Sequence, residues 1–298
     1  MGYCQHGVGM KKIVFLGLLI TIFTSIKLEG ERFVIGGRAN CGFFFNFLGV
    51  LNNLHWCQKT KKKPVVYWPP DMLYYDPKGC NGIISNNVWD YYFYPVSNLT
   101  YTKKDQIHFF PFPPDGFCVQ THPKRPDPYP DQYLRHYMND LINRYIRIKE
   151  PTLNKIEEFY IENFKDKYTI GIHLRGTDKW TEVPPIPLAD IFAEANKYVP
   201  CQFFIATDEE AILEEAKKML QGKVISYNST RLEGAQTLSV GVHNATHGTQ
   251  INRAYLGEEA LIDCILLSRC DLLIHTWSNL SITALLFNPD MLHIHLGR

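Results

Sequence analysis

Hydrophobic residues come in short runs along the second half of the chain, and the runs are separated by segments in which apolar positions recur every three or four residues. The short runs predict buried strands, and the longer spacing predicts amphipathic helices. Because strands that alternate with helices form parallel sheets, this half is predicted to be an open α/β domain. The predicted strands are Tyr168–Leu174, Gln202–Ala206, Lys223–Ser226, Asp271–His275 and Met291–Leu296, and the predicted helices are Leu188–Tyr198, Glu209–Leu220, Glu258–Cys270 and Ser281–Phe287.

The first half begins with the same alternation of strands and helices, which does not continue beyond residue 68. A strand at Arg32–Ile35, a helix ending near Trp56 and a strand at Pro64–Trp68 predict a βαβ unit. Residues 69–130 are rich in Pro, Tyr, Phe, Asp and Asn, which predicts long loops with short strands. The pattern at Asp131–Phe164 predicts helix that Pro151 interrupts.

This interruption near residue 150 predicts a boundary between an N-terminal α/β domain, residues 31–150, and a C-terminal domain, residues 151–298. Residues 1–30 belong to neither of these domains. Lys11 and Lys12 precede an apolar run at residues 13–26, the arrangement of a secretory leader. The run is short for a membrane-spanning helix, which needs about 20 apolar residues. The segment is predicted to be a signal peptide or a type II signal-anchor, and a membrane contact is expected through it alone.

The charge balance limits the partners. The chain has 31 basic and 30 acidic side chains, a formal net charge of +1, so nothing attracts it to nucleic acid over a long range. We expect no nucleic-acid partner, and any anionic ligand must be held by local groups.

Cysteines and glycosylation sequons point to an oxidising compartment. The eight cysteines form no CxxC or CxxH pair that would indicate zinc, and four of them cluster in the first half, where disulfides are expected. Four Asn-x-Ser/Thr sequons predict a glycoprotein. We expect a Golgi-type lumen, with a bacterial envelope or a cytoplasmic face left open. The clustered cysteines are Cys41, Cys57, Cys80 and Cys118, and the sequons lie at Asn98, Asn228, Asn244 and Asn279.

Polar clusters follow three of the predicted strands, at Arg175–Asp178, Thr207–Glu209 and Thr276–Asn279. In open α/β sheets, ligands bind outside the carboxyl ends of the strands, so these clusters are expected to share a site. Arg175 offers a rigid fork of donors that suits a diphosphate. Ser278 and the amides that open the following helix suit the same anion.

Each candidate also has a structural interpretation. His173 either donates to a phosphate or is a hydrogen-bonded core histidine. Arg175 either binds the anion or forms an ion pair with Asp178 or Asp208. Thr207 and Asp208 either cap the next helix or, for Asp208, also orient Arg175.

Two further patterns bear on ligand binding. Gly36 and Gly37, in the turn after the first strand, either let a ligand approach the backbone or make a tight corner. The acidic pair nearest the arginine, Asp208 and Glu209, stands at a predicted helix start, so we expect no metal there.

Several of these segments resemble motifs of the α1,6-, α1,2- and protein-O-fucosyltransferases. Ile170–Lys179 resembles the first motif, an HxRxTDK-type signature, and Phe204–Asp208 resembles the second. Gly36–Gly42 is similar to the N-terminal turn of that family. Three further segments resemble the third region of the α1,6 branch: Ser239–Asn244, Ala260–Ser268 and Asp271–Ser278. This branch includes the core and nodulation fucosyltransferases.

The resemblance implies a GT-B-like fold, in which two Rossmann-like open-sheet domains face each other and the C-terminal one binds the donor. It implies an inverting, metal-independent transfer of fucose from GDP-fucose to a glycan, most similar to the α1,6 type, with the acceptor on the side of residues 31–150. Arg175 would bind the β-phosphate with help from His173 and Ser278, and Asp263 would recognise guanine. The other residues predicted at the donor are Gly36, Gly37, Asp178, Asp208 and Asn279.

For catalysis, Lys179 and Glu182 match the pair that activates the acceptor hydroxyl, and Arg175 is the third predicted catalytic residue. Glu182 is displaced by one residue from the family spacing, and Asn279 stands where a second serine is expected. Two alternatives remain open: an inactive secreted protein of this fold that binds a glycan or nucleotide, and a transferase for another nucleotide sugar.

Overall fold

The computed structural model describes residues 31–109, 112–119, 130–176, 186–233 and 249–297. Its first sheet is parallel and has three strands, β1 (Arg32–Gly36), β2 (Lys63–Tyr67) and β3 (Ile107–His108), in the order β2-β1-β3. Helix α1 (Phe43–Thr60) connects β1 to β2. The predicted βαβ unit is therefore confirmed, and its helix extends one turn beyond the predicted end.

The second sheet is also parallel, and its five strands are β4 (Thr169–Leu174), β5 (Gln202–Thr207), β6 (Lys223–Ile225), β7 (Leu272–His275) and β8 (Leu292–His295). Their order in the sheet is β6-β5-β4-β7-β8, so the chain first adds strands on one side of β4 and then on the other. All residues of β4, β5 and β7 are buried, which explains why these strands are continuous apolar runs in the sequence.

Within the described residues, six further α-helices surround this sheet and the space between the sheets: α2 (Gln132–Tyr145), α3 (Glu150–Asn163), α4 (Leu188–Ala195), α5 (Glu210–Met219), α6 (Arg253–Ser268) and α7 (Asn279–Phe287). Helices α4 and α5 cover one face of the second sheet, where they form a separate hydrophobic cluster with β4, β5 and β7. The predicted helix at 131–164 is two helices, and Pro151 lies in the first turn of the second, where a missing N–H is tolerated.

A larger hydrophobic core runs from the first sheet to the other face of the second. Helix α7 lies in its middle and packs against α1, α2 and α6. The hydroxyl of Tyr92 donates a hydrogen bond of 2.8 Å to the carbonyl of Ala254, at the start of α6. The two sheets are therefore joined through one continuous core rather than through a flexible contact.

A buried ion pair reinforces this junction. The carboxylate of Glu258 in α6 is 2% exposed and lies 2.7 Å from the ammonium of Lys155 in α3. It also accepts hydrogen bonds from the Asn81 amide at 2.6 Å and the Thr152 hydroxyl at 2.8 Å. Each oxygen of this carboxylate has a partner, as a buried charge requires.

The structure does not support the expected disulfides. Among the seven cysteines within the described ranges, no pair is joined. Cys57 and Cys80 lie inside the hydrophobic core, and burial raises the pKa of the Cys57 thiol to about 12 and holds the pKa of Cys80 above its usual value. These two cysteines therefore pack in the core as small apolar residues.

The expectations about the cell compartment stay predictions. No helix of the described residues is long and apolar enough to cross a membrane. The predicted leader, residues 1–30, and the sequon at Asn244 lie outside the described residues. Of the remaining sequons, Asn98 and Asn228 are exposed, whereas Asn279 is partly buried as the first residue of α7.

Candidate functional site

The described residues of the three polar clusters, among them Arg175, Asp208 and Ser278, follow strands that end at one edge of the second sheet. Strand β4 pairs with β5 on one side and with β7 on the other, and all three run in the same direction. The order of the sheet reverses between β4 and β7, which makes the crevice at their carboxyl ends the usual ligand site of such a sheet. The three strand ends therefore converge as predicted, and a ligand site shared by the clusters stays a prediction.

Arg175 is partly buried and directly follows β4. The next amide, that of Gly176, donates a 2.9 Å hydrogen bond to Oδ1 of Asp208 at the end of β5. Helix α5 begins later, with Glu209 at its N-cap and no side-chain hydrogen bond at the cap. The interpretation of Asp208 as a helix cap is therefore wrong, and its carboxylate instead orients the turn that carries Arg175.

His173 lies on β4 and is 4% exposed. Its Nδ1 lies 2.7 Å from the hydroxyl of Ser281, in the first turn of α7. This contact supports the interpretation of His173 as a hydrogen-bonded core histidine, and it ties the end of β4 to the start of α7. The predicted contact with a phosphate is not tested by these distances.

Helix α7 begins at this edge of the sheet, two residues earlier than predicted. Ser278 is its N-cap, and the Ser278 hydroxyl accepts a 3.2 Å hydrogen bond from the amide of Leu280. The Ser278 O–H can still donate, because a hydroxyl both accepts and donates. The amides of the first turn and the helix dipole make this edge favourable for an anion.

Asp263, which the resemblance assigns to guanine, is a buried acid on α6. It is 7% exposed and faces the loop that follows β6. Oδ2 accepts a 3.0 Å hydrogen bond from the hydroxyl of Ser229, whereas Oδ1 has no partner among the described residues. Burial raises the pKa of Asp263 to about 7, although the Ser229 hydrogen bond and the charge of Arg231 oppose this shift.

Gly36, the last residue of β1, and Gly37, which follows it, are explained by packing. A Cβ added at Gly36 would lie 2.5 Å from Cγ2 of Ile107, and one at Gly37 would lie 2.3 Å from Sδ of Met72. The close approach that these glycines permit is therefore that of the chain's own side chains. Their predicted role in donor binding stays a prediction.

Three histidines beside His173 were missed in the sequence. His275 pairs in register with His173 and with His295, and its Nε2 lies 3.2 Å from Nδ1 of His293. Burial, followed by the charges of the neighbouring histidines, lowers the pKa of His275 well below its usual value. Burial likewise lowers the pKa of His293 and of His295. The pairing of β7 with β8 brings the three rings together.

Three predicted residues, Asp178, Lys179 and Glu182, lie outside the described residues. Within the described ranges, no group of three His, Cys, Asp or Glu side chains is arranged to hold a metal ion.

Comparison with known proteins gives a match of fold but not of sequence. No family model and no curated protein sequence matches the chain. The structure of NodZ α1,6-fucosyltransferase soaked with GDP-fucose matches with a TM-score of 0.51 and 20% identity, over 86% of this chain and 92% of that chain. NodZ from Bradyrhizobium matches with the same TM-score and identity, over 85% and 92% of the two chains. POFUT1 in complex with GDP-fucose matches with a TM-score of 0.50 and 11% identity, over 91% and 99%.

The described chain therefore shares the GT-B fold of these fucosyltransferases, which confirms the predicted fold class.

Proposed function

We propose that the protein is a glycosyltransferase that moves fucose from GDP-fucose to a hydroxyl group of a glycan, with inversion, without a metal ion and in the α1,6 manner. The shared fold supports this proposal, because NodZ and POFUT1 have been crystallised with GDP-fucose and with GDP. The chain matches more than nine-tenths of each of these proteins.

The buried carboxyl of Asp263 is the observation that carries the nucleotide part of the proposal. Guanine presents two neighbouring N–H groups, and a carboxylate can accept from both. Oδ1 of Asp263 has no partner among the described residues, which is costly unless a ligand supplies one. We infer that Asp263 recognises the base. The free-energy cost of burying Oδ1 without a hydrogen-bond partner is then offset when the nucleotide binds.

The other end of the donor is assigned to Arg175 and the N-terminus of α7. Arg175 would hold the β-phosphate through paired hydrogen bonds, and the Ser278 hydroxyl and the first amides of α7 would donate to the same group. As the bond between the anomeric carbon and the phosphate oxygen breaks, negative charge develops on GDP. Donors that are already in place stabilise that charge in the transition state.

The acceptor half of the reaction is inferred from the resemblance alone. Glu182, with Lys179 beside it, would take the proton of the acceptor hydroxyl as its oxygen attacks the anomeric carbon from the opposite side. The loops of residues 31–150 would bind the glycan. A leader at residues 1–30 would place the enzyme in the lumen of the secretory pathway.

Thermal unfolding with GDP, UDP and CMP tests the donor assignment. We expect GDP to raise the melting temperature and the other two nucleotides to leave it nearly unchanged, because a ligand stabilises only the state that binds it. Arg175→Ala should remove the GDP effect. Arg144→Ala, which removes the same charge from an exposed position in α2, should keep it. Stabilisation by UDP instead of GDP would indicate a transferase for another donor.

A second experiment separates an enzyme from an inactive binding protein. We expect Glu182→Gln to bind GDP normally but to lose transfer of fucose from GDP-fucose to a panel of glycans. Unchanged turnover in this variant would remove Glu182 from the mechanism. Binding of GDP by the wild type, without hydrolysis of GDP-fucose or transfer to any glycan, would favour the inactive protein. Addition of EDTA should leave the rate unchanged, and a loss of rate would contradict the metal-independent mechanism.

A further inference from the structure

Glu209 is a buried acid at the proposed donor site that the proposed mechanism does not use. It directly follows Asp208, it is 1% exposed, and its Oε1 has no hydrogen-bond partner among the described residues. A buried carboxyl without a partner costs free energy, so its position calls for a physical explanation.

The side chain of Glu209 lies directly beneath the turn after Arg175. A Cβ added at Gly176 would come within 2.4 Å of Cδ of Glu209 and within 2.5 Å of its Oε1. The backbone of Gly176 is not in the left-handed region, so its conformation does not require glycine. The two shortest contacts, both with Glu209, and a third of 2.8 Å with Cδ1 of Ile212 explain the glycine. The carboxyl group of Glu209 therefore lies against the Arg175 turn.

The backbone around Glu209 also holds the loop on the opposite side. The amide of Leu232 donates to the carbonyl of Asp208 at 3.0 Å, and the amide of Glu210 donates to the carbonyl of Leu232 at 3.2 Å. This loop contains Ser229, which donates to the carboxylate of Asp263. Residues 208–210 therefore contact both the turn assigned to the phosphates and the loop beside the residue assigned to the base.

We propose that Glu209 is a positioning residue of the donor site, which sets the height of the Arg175 turn and its distance from the loop beside Asp263. This inference rests on the proposed function. Glu209 is too deeply buried to touch the donor. Burial, together with the charge of Asp208, raises the pKa of the Glu209 carboxyl above its usual value.

A double-mutant cycle between Gly176 and Glu209 tests the inference. Affinity for GDP is measured by calorimetry for the wild type, Gly176→Ala, Glu209→Ala and the double variant. We expect Gly176→Ala to weaken binding about tenfold or more, because the new methyl group displaces the turn. The double variant should bind GDP more tightly than Gly176→Ala alone, since removal of the carboxyl makes room for the methyl group. Additive losses, or normal binding by Gly176→Ala, would overturn the inference.

Two further variants separate positioning from stability. Glu209→Gln keeps the shape of the side chain and should restore most of the affinity that Glu209→Ala loses. Leu213→Ala, in the same helix but in the hydrophobic cluster beneath the sheet, should lower the melting temperature and leave GDP affinity unchanged. If Leu213→Ala weakens binding as much as Glu209→Ala does, the effect is one of stability and the inference fails. If the wild type binds no GDP, the proposed function fails first and the inference with it.

Discussion

Replacement of Asp263 by asparagine should make the protein more stable near neutral pH, although it removes a residue of the proposed site. The carboxyl of Asp263 is 7% exposed, and its Oδ1 has no partner among the described residues. Burial raises its pKa from 3.8 to about 7. The folded protein therefore holds this proton more tightly than the unfolded chain does.

The sign of the effect follows from that difference. The contribution of Asp263 to stability is fully present below its unfolded pKa, and it is lost as the pH rises through about 7. At roughly 1.4 kcal/mol for each pKa unit, the loss amounts to about 4 kcal/mol. Asparagine has the same shape and no charge, so it avoids this loss. Its new N–H₂ group, which replaces an oxygen without a partner, costs about 1–3 kcal/mol.

The balance favours Asp263→Asn by about 1–3 kcal/mol near pH 8, and the advantage should disappear as the pH falls and be absent below about pH 3, where the acid is protonated in both states. Urea unfolding at several pH values measures both limits. Asp190→Asn, at an exposed position in α4, is the matched control and should show no such pH dependence. A variant less stable than the wild type near pH 8 would refute the reasoning. The same variant should lose its stabilisation by GDP, because an amide cannot accept from both N–H groups of guanine.

Three substitutions test the packing that supports the site, each by the free energy of unfolding in urea. Lys155→Met should cost about 3 kcal/mol, because Glu258 keeps its charge in a buried position, and a neutral effect would show that Asn81 and Thr152 suffice. Phe47→Ala, fully buried in α1 where the first sheet meets α7, should cost about 3–5 kcal/mol. Gly37→Ala should cost about 1–3 kcal/mol, because the methyl group displaces Met72, and tolerance would mean that Met72 changes rotamer freely.

The elements of the second half could be read from the chain because their signals are local. The predicted strands at Tyr168–Leu174 and Gln202–Ala206 each agree with the structure to within one residue at either end. Helix α6 begins at Arg253, five residues before the predicted start at Glu258, because Asn252 caps the helix before its apolar pattern begins. A cap depends on one hydrogen bond, which periodicity does not register.

The site was predictable only in part. The positions of Arg175, Asp208 and Ser278 at strand ends were sufficient to predict one shared edge, because parallel strands end on the same side of a sheet. What each side chain does there was not predictable. Two roles were open for Asp208, a helix cap and a contact that orients Arg175, and only the structure shows that its carboxylate accepts from the amide of Gly176.

The sequence by itself determined the order of strands and helices, the parallel second sheet and the edge at which its polar residues collect. These properties follow from periodicity and from the chirality of crossover connections, both of which act over short stretches of chain. Only the tertiary structure decided that Asp263 and Glu209 are buried acids, that Gly176 is needed above Glu209, and that the cysteines remain unjoined in the described ranges. Burial and pairing depend on which distant elements come together, and no local pattern encodes the dielectric environment or the missing partner of a side chain.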